Sequence, residues 1–367
     1  MANSSYQIAT TPKLYVSYPL FQYASGALDE YEGTTVFGGT MLDGEDMIKL
    51  LQLDPSNQVT FENSSSGVAK LRYRVLPSYD DSTNVLQNGL WNFDYAMILG
   101  HNFNSSLIDF YVECAKDNLA ASNTFDIDYS NIVNTNIDSP PEYDGWSLFN
   151  LDTANVSDDI RNIQFWFQST TGNGLTAQDN LKKGKIGSIL WGKSYTFPQN
   201  TQLSTSTKFE YGISQKSTIS GKTISSANWT KPNNWITEPF GLTNGEEGDN
   251  FQRRSGRRVW KMTFDSLAPD KVMPQNMMMN SNGFTAQDNH SVAADGTSSL
   301  YNINNSEDFY SAVVHKTMGG HLPMVLQIDS SDNSPSNFAI VRMNKDYTVT
   351  QKSPLLFSYS ITLTEQI

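Results

Sequence analysis

The chain has 367 residues, a formal net charge of −13, and 38% hydrophobic against 17% charged residues. That acidic balance would repel a phosphate backbone and argues against general nucleic-acid binding. A single cysteine, Cys114, excludes an internal disulfide framework and most cysteine metal sites, and no apolar run is long enough to expect a membrane-spanning helix.

The aromatic content of 12% is too high for a disordered chain. The remainder is rich in Asn, Ser and Thr, a mixture poor for helices and suited to strands joined by polar loops. The start, MANSSYQIATTPK, has neither the basic beginning nor the apolar core of a signal peptide, which points to folding in a reducing compartment.

Taken in order, residues 1–67 read as an N-terminal arm or docking segment. Within it, Asp43–Leu51 has the spacing of one short amphipathic helix, with Met47, Leu50 and Leu51 inward and a turn at Asp54–Asn57. From Val68 the pattern becomes a series of strands. Leu71–Leu76 alternates Leu71, Tyr73 and Val75 with Arg72 and Arg74, and Trp91–Gly100 is a nearly continuous apolar run. Ser106–Cys114 follows, with Cys114 expected as a buried thiol, since cysteine behaves as a small hydrophobe. A polar excursion from Lys116 to Asp159 comes next, and Asn162–Phe167 and Lys185–Tyr195 close the unit near Pro198.

The stretch Lys185–Pro198 (KIGSILWGKSYTFP) is where the texture changes, and it reads as the end of one β-unit and the entrance to the next. Gly187 and Gly192 mark a bulge or a close backbone approach. Beyond it lie strands at Lys208–Ile213, Arg257–Phe264, Leu322–Ile328, Phe338–Met343 and Leu355–Leu363, with loop-like sequence after the first and a short helix at Asp308–His315. The expected fold is therefore mainly β: one β-rich unit over 68–200 and a second β-rich domain over 201–367, with few short helices. One echo stands out. NGLTAQDN at Asn173–Asn180 recurs as NGFTAQDN at Asn282–Asn289, read as a shared loop motif beginning with an Asn-Gly turn.

Few residues suggest chemistry. His101, in ILGHNF, has no partner at metal-ligand spacing among His290, His315 and His321, so imidazole and Asn102 are expected to bond nearby backbone at a strand end. Gly319 and Gly320, between His315 and His321, read as a turn. The paired acids Asp80–Asp81, Asp158–Asp159, Glu246–Glu247 and Glu142/Asp144 all lie in polar loop context, without calcium-loop spacing. No nucleotide-binding loop and no nucleophile elbow is present. No enzyme, cofactor or metal site is therefore expected.

Two features concern partners. Arg253, Arg254, Arg257, Arg258 and Lys261 form a basic island on an acidic chain, read as a surface that docks another subunit. Trp146, Trp229 and Trp235 are candidates for stacking on sugar rings, although plugging the space between two cores is the favoured role.

Four pieces, AMILGHNF, KIGSILWGKSYTFP, RRSGRRVWKMTF and the C-terminal run from DFYSAVVHKTMGGHLPMVLQID through NFAIVRM to SYSITLTEQ, together resemble an arrangement found in tailed-bacteriophage virion proteins. The first two resemble a discoidin-like (galactose-binding-like) jelly roll, which implies a β-sandwich/jelly-roll domain over 68–200, and the latter two the β-rich domain that follows it. The resemblance covers roughly residues 68–367. It implies a structural component of the tail or tail tip, made in the host cytoplasm and built into a virion through contacts with copies of itself and other virion proteins. The alternatives are a module recognising a host receptor or surface glycan and, more remotely, a glycan-degrading enzyme. Sugar-binding residues of such domains do not map onto this chain one by one.

Overall fold

The computed structural model describes residues 11–24, 34–36, 47–54, 57–61, 67–74, 93–115, 124–126, 128–133, 139–152, 162–198, 206–227, 257–274, 307–334, 337–344 and 346–366. Strand β1 (Lys13–Tyr15), helix α1 (Tyr18–Ala24) and β2 (Thr34–Val36) come first, then a 3-10 turn (Met47–Leu51), β3 (Val59–Thr60) and β4 (Val68–Arg74). Next are β5 (Tyr95–His101), β6 (Ile108–Ala115), β7 (Thr124–Asp126), β8 (Asp128–Val133), β9 (Gly145–Asp152) and β10 (Asn162–Ser169). Helix α2 (Ala177–Lys183) leads into β11 (Lys185–Ile186), β12 (Ser188–Gly192) and β13 (Ser194–Thr196). Then come β14 (Ser206–Glu210), β15 (Ile213–Ser217), β16 (Thr223–Ala227) and β17 (Arg257–Leu267). A π-helical turn (Tyr310–His315) precedes β18 (Met324–Gln327), β19 (Phe338–Met343), β20 (Val349–Ser353) and β21 (Leu356–Glu365). The fold is mainly β with few short helices, as expected.

Three antiparallel sheets form the body. An outer sheet runs β2-β4-β10-β6-β7, a middle sheet β12-β5-β9-β8, and a large sheet β13-β1-β18-β19-β21-β17-β14 with β20 added on β21. The outer and middle sheets enclose one apolar core, in which Leu71, Phe110, Phe165 and Phe167 meet Ala96, Ile98, Phe149, Ile189 and Trp191. The middle sheet then turns its other face, with Tyr95, Met97, Leu99, Trp146 and Leu148, onto Tyr15, Val325, Phe338 and Ile340 of the large sheet. A third core lies on the far side of the large sheet, where Trp260, Phe264, Met324, Leu326 and Tyr359 pack with Phe309 and Val313.

This layering explains the sequence pattern of β5. A strand covered on both faces needs apolar residues at every position rather than at alternate ones, and all of Tyr95–His101 is buried. β17, which is covered on one face, alternates: Trp260, Met262 and Phe264 are buried, while Lys261 is exposed.

The segment Lys185–Pro198 contributes an edge to each of two sheets. β12 pairs with β5 at the edge of the middle sheet, and β13 pairs with β1 at the edge of the large sheet. Asp94 holds the crossing: its carboxylate accepts from the Ser194 backbone N–H and hydroxyl, both at 2.7 Å. Gly192 permits the close approach. A Cβ there would lie 2.4 Å from the Val16 carbonyl oxygen.

Three readings are corrected. Residues 1–67 are not an outlying arm where described: β1 pairs with both β13 and β18, and Leu50 and Leu51 sit in the first core. The polar excursion 116–159 carries strands β7, β8 and β9, and β9 is buried almost throughout because it lies between two cores. Of the sequence after Lys208–Ile213 read as loop-like, Ile213–Ala227 forms the β15–β16 hairpin and residues 228–256 lie outside the described residues; β14 stops at Glu210. Cys114 occupies β6 opposite Ile163 and Phe125, with its side chain outside the described residues.

Candidate functional site

β17 sets successive side chains on opposite faces of the large sheet. Arg258 therefore points over Trp260, its guanidinium 5.0 Å from the ring centre, and meets Glu365 near the end of β21. The Glu365 carboxylate accepts from Arg258 Nη2 at 2.6 Å, from Nε at 3.0 Å and from the backbone N–H at 2.9 Å. Nη2 also donates to the Phe338 carbonyl at 3.3 Å. Glu365 is 1% exposed. Arg258 is thus removed from the docking island, because its carboxylate belongs to its own chain. Arg257 is half-buried, opposite Glu210 of β14, and Lys261 is exposed, opposite Ser206. Arg253 and Arg254 lie outside the described residues.

Arg257 lines an open groove of about 510 Å³ with Lys208, Phe209, Glu210, Tyr211, Gly212 and Ile213. The groove lies at the root of the β15–β16 hairpin. Every residue from Ser206 to Ala227 is exposed, including both strands of that hairpin. A tight turn closes its tip, with Thr218 N–H donating to the Lys222 carbonyl at 2.8 Å and Gly221 N–H to the Thr218 carbonyl at 2.9 Å. Gly221, at φ +79°, supplies the left-handed residue that turn requires. The sequence signal for this hairpin was Thr-Ile-Ser-Gly-Lys between two Ser/Thr-rich segments, too polar to register as strands.

Trp146 is corrected as a sugar-stacking candidate. It is fully buried and packs edge-on against Phe338, ring centres 4.7 Å apart. It plugs the layer between the middle and large sheets, the role favoured from sequence. Trp229 and Trp235 lie outside the described residues, as do Asp80–Asp81, Asp158–Asp159, Glu246–Glu247 and His290.

His101 is fully buried at the end of β5, stacked on Phe103 with ring centres 4.5 Å apart. Its Nε2 is 2.9 Å from Ser147 Oγ. Nδ1 accepts from the Phe103 N–H at 3.4 Å. Burial drives its pKa down to about 3, so the ring is neutral and structural. Asn102 bonds backbone as expected, donating to the Lys183 carbonyl and accepting from the Lys185 N–H, and so ties α2 and β11 to the end of β5. Asp144 accepts from the Ser105 N–H, and the Glu142 carbonyl accepts from Asn104 Nδ2; both bonds brace a loop. Among the described residues no group of three His, Cys, Asp or Glu side chains could hold a metal ion.

The first copy of the repeated octapeptide is a turn and helix start. Asn173 and Gly174 adopt φ +54° and +76°, Thr176 caps α2 by accepting from the Asp179 N–H, and buried Asn180 donates back to the Thr170 carbonyl. The second copy, Asn282–Asn289, lies outside the described residues.

No protein-family description matches the chain, and no curated protein matches it. Among solved structures it is similar to CpGH89CBM32-4, produced by Clostridium perfringens, in complex with GlcNAc-alpha-1,4-galactose, at 13% identity and a TM-score of 0.26. The match covers 52% of this chain and 100% of that one. A likeness this slight brings neither fold detail nor ligand to the present chain.

Proposed function

We propose that this protein is a non-enzymatic structural subunit of an assembled particle, in its most specific form a tail component of a bacteriophage virion, and that it works through subunit contacts. The observation that carries the reading is the β15–β16 hairpin, a two-stranded ribbon with both faces in solvent. Such a ribbon is marginally stable by itself in water and gains stability when another surface covers it. Arg257 beside its root adds positive charge suited to an acidic neighbour, whereas Lys208 there is paired with Glu210. The chemical candidates support the same reading, because His101, Trp146 and Arg258 are all engaged in holding the body together. The virion assignment itself comes from the sequence resemblance.

The test is protein composition by mass spectrometry on density-purified particles from the source of this sequence. The chain is expected as a stoichiometric component that resists high-salt washing. Recovery only from the soluble fraction would overturn the proposal.

A further inference from the structure

Resting on the reading of an assembling subunit, we propose that the stretch Ser206–Ala227 is an inter-subunit arm whose partner is the acidic body of a second copy of this chain. Five of the nine exposed large apolar side chains among the described residues fall in this one stretch. They are Phe209, Tyr211, Ile213, Ile219 and Ile224, and Ile219 at the tip is fully exposed. The register sets Ile213 beside Ala227 on one face of the ribbon and Ile224 beside Lys216 on the other. Apolar groups on both faces suit a ribbon that is enclosed rather than one laid flat on its own body.

Charge selects the occupant. The arm carries Lys208, Lys216 and Lys222 against Glu210, a net +2, which leaves −15 on the rest of a chain of net charge −13. Two arms side by side would set lysines against lysines, so the contact is arm on body, not arm on arm. Both outer edges of the β15–β16 ribbon are unpaired among the described residues, so their backbone groups are free to add to a partner's strand edge. The arm has 22 residues, which falls within the roughly 20–30 residues a side of a standard stable interface. The groove at its root sets Phe209 and Tyr211 beside Arg257, while Lys208 is paired with Glu210 of the same arm at 2.8 Å, so Arg257 is the cation the groove offers to a carboxylate from the incoming subunit.

The experiment is analytical ultracentrifugation of the purified full chain across a salt series, with two double variants. The wild type is expected to self-associate, more weakly at high salt. Ile213→Asp with Ile224→Asp, and separately Lys216→Glu with Lys222→Glu, should each weaken association by about tenfold or more, the charge pair also flattening the salt dependence. Thermal unfolding of both variants should stay close to wild type, because all four side chains are exposed. An oligomer unmoved by either pair would overturn the arm and leave the assembly reading standing. A wild type that stays monomeric at its highest soluble concentration would overturn the second copy as occupant. If that monomer is nevertheless a stoichiometric particle component, the assembly reading survives and the arm's partner is a different protein; if it is not, both proposals fall.

Discussion

The carboxylate of Glu365 receives the side chain and the backbone N–H of Arg258 together, and so fastens the end of β21 across β17. Removing one member of a buried pair leaves the other charged and unsolvated, which costs about 3–5 kcal/mol. Arg258→Ala should therefore lower stability by about that amount in a denaturant titration, with Glu365 the stranded group. A loss within about 0.5 kcal/mol would mean that the pair behaves as surface charge.

Trp146 offers a clean separation of packing from ligand contact. It fills the layer between β9 and β19, and truncating a buried tryptophan costs about 3–5 kcal/mol. Trp146→Ala is expected to lower the unfolding midpoint strongly. An unchanged midpoint accompanied by loss of binding on a glycan array would instead restore it as a sugar contact.

Acid should act through His101. Its folded-state pKa of about 3 lies below the ordinary 6.5, so the unfolded chain takes up the proton first. His315 is displaced the same way, to about 4, by burial and then by the neighbouring Lys316 charge. The stabilisation is fully present above about pH 6.5 and is lost as pH falls toward 3, at about 1.4 kcal/mol per pH unit for each group within its window. Unfolding midpoints measured from pH 7 to pH 4 should fall less steeply for His101→Gln than for the wild type. Parallel pH profiles would show that the imidazole is not the group responsible.

Gly192 should resist replacement. A methyl group there meets the Val16 carbonyl at 2.4 Å and the Tyr18 ring at 3.0 Å, so β12 and the segment leading into α1 would have to part. Overpacking of this kind costs about 1–3 kcal/mol. Gly192→Ala should show that loss by thermal or chemical unfolding, and a neutral result would mean that the N-terminal segment shifts freely.

Thr176 tests the octapeptide. Its hydroxyl accepts the Asp179 N–H at the start of α2, and losing such a cap costs about 1 kcal/mol. Thr176→Ala is expected to destabilise by that amount and Thr176→Ser by much less. Equal losses for the two would assign the effect to the threonine methyl group.

What the sequence determined by itself was local. Alternation in RRVWKMTF marked a strand, the nearly continuous apolar run before Gly100 marked a buried strand, and Asn-Gly marked a turn, although not the helix cap that follows it at Thr176. Each rests on neighbours a few residues apart, where backbone geometry alone dictates which side chains share a face. What only the tertiary structure decided was long-range. Nothing near Arg258 in the chain announces Glu365, 107 positions away. Nothing in a polar N-terminal stretch announces that Lys13–Tyr15 will be held between β13 and β18. Trp146 read as a loop residue because its flanks are polar, yet the stacking of two sheets closed over it. The β15–β16 hairpin escaped notice for the converse reason. Its residues bury nothing within the chain, so they carry no periodic apolar signal, and only the folded body shows them standing clear of it.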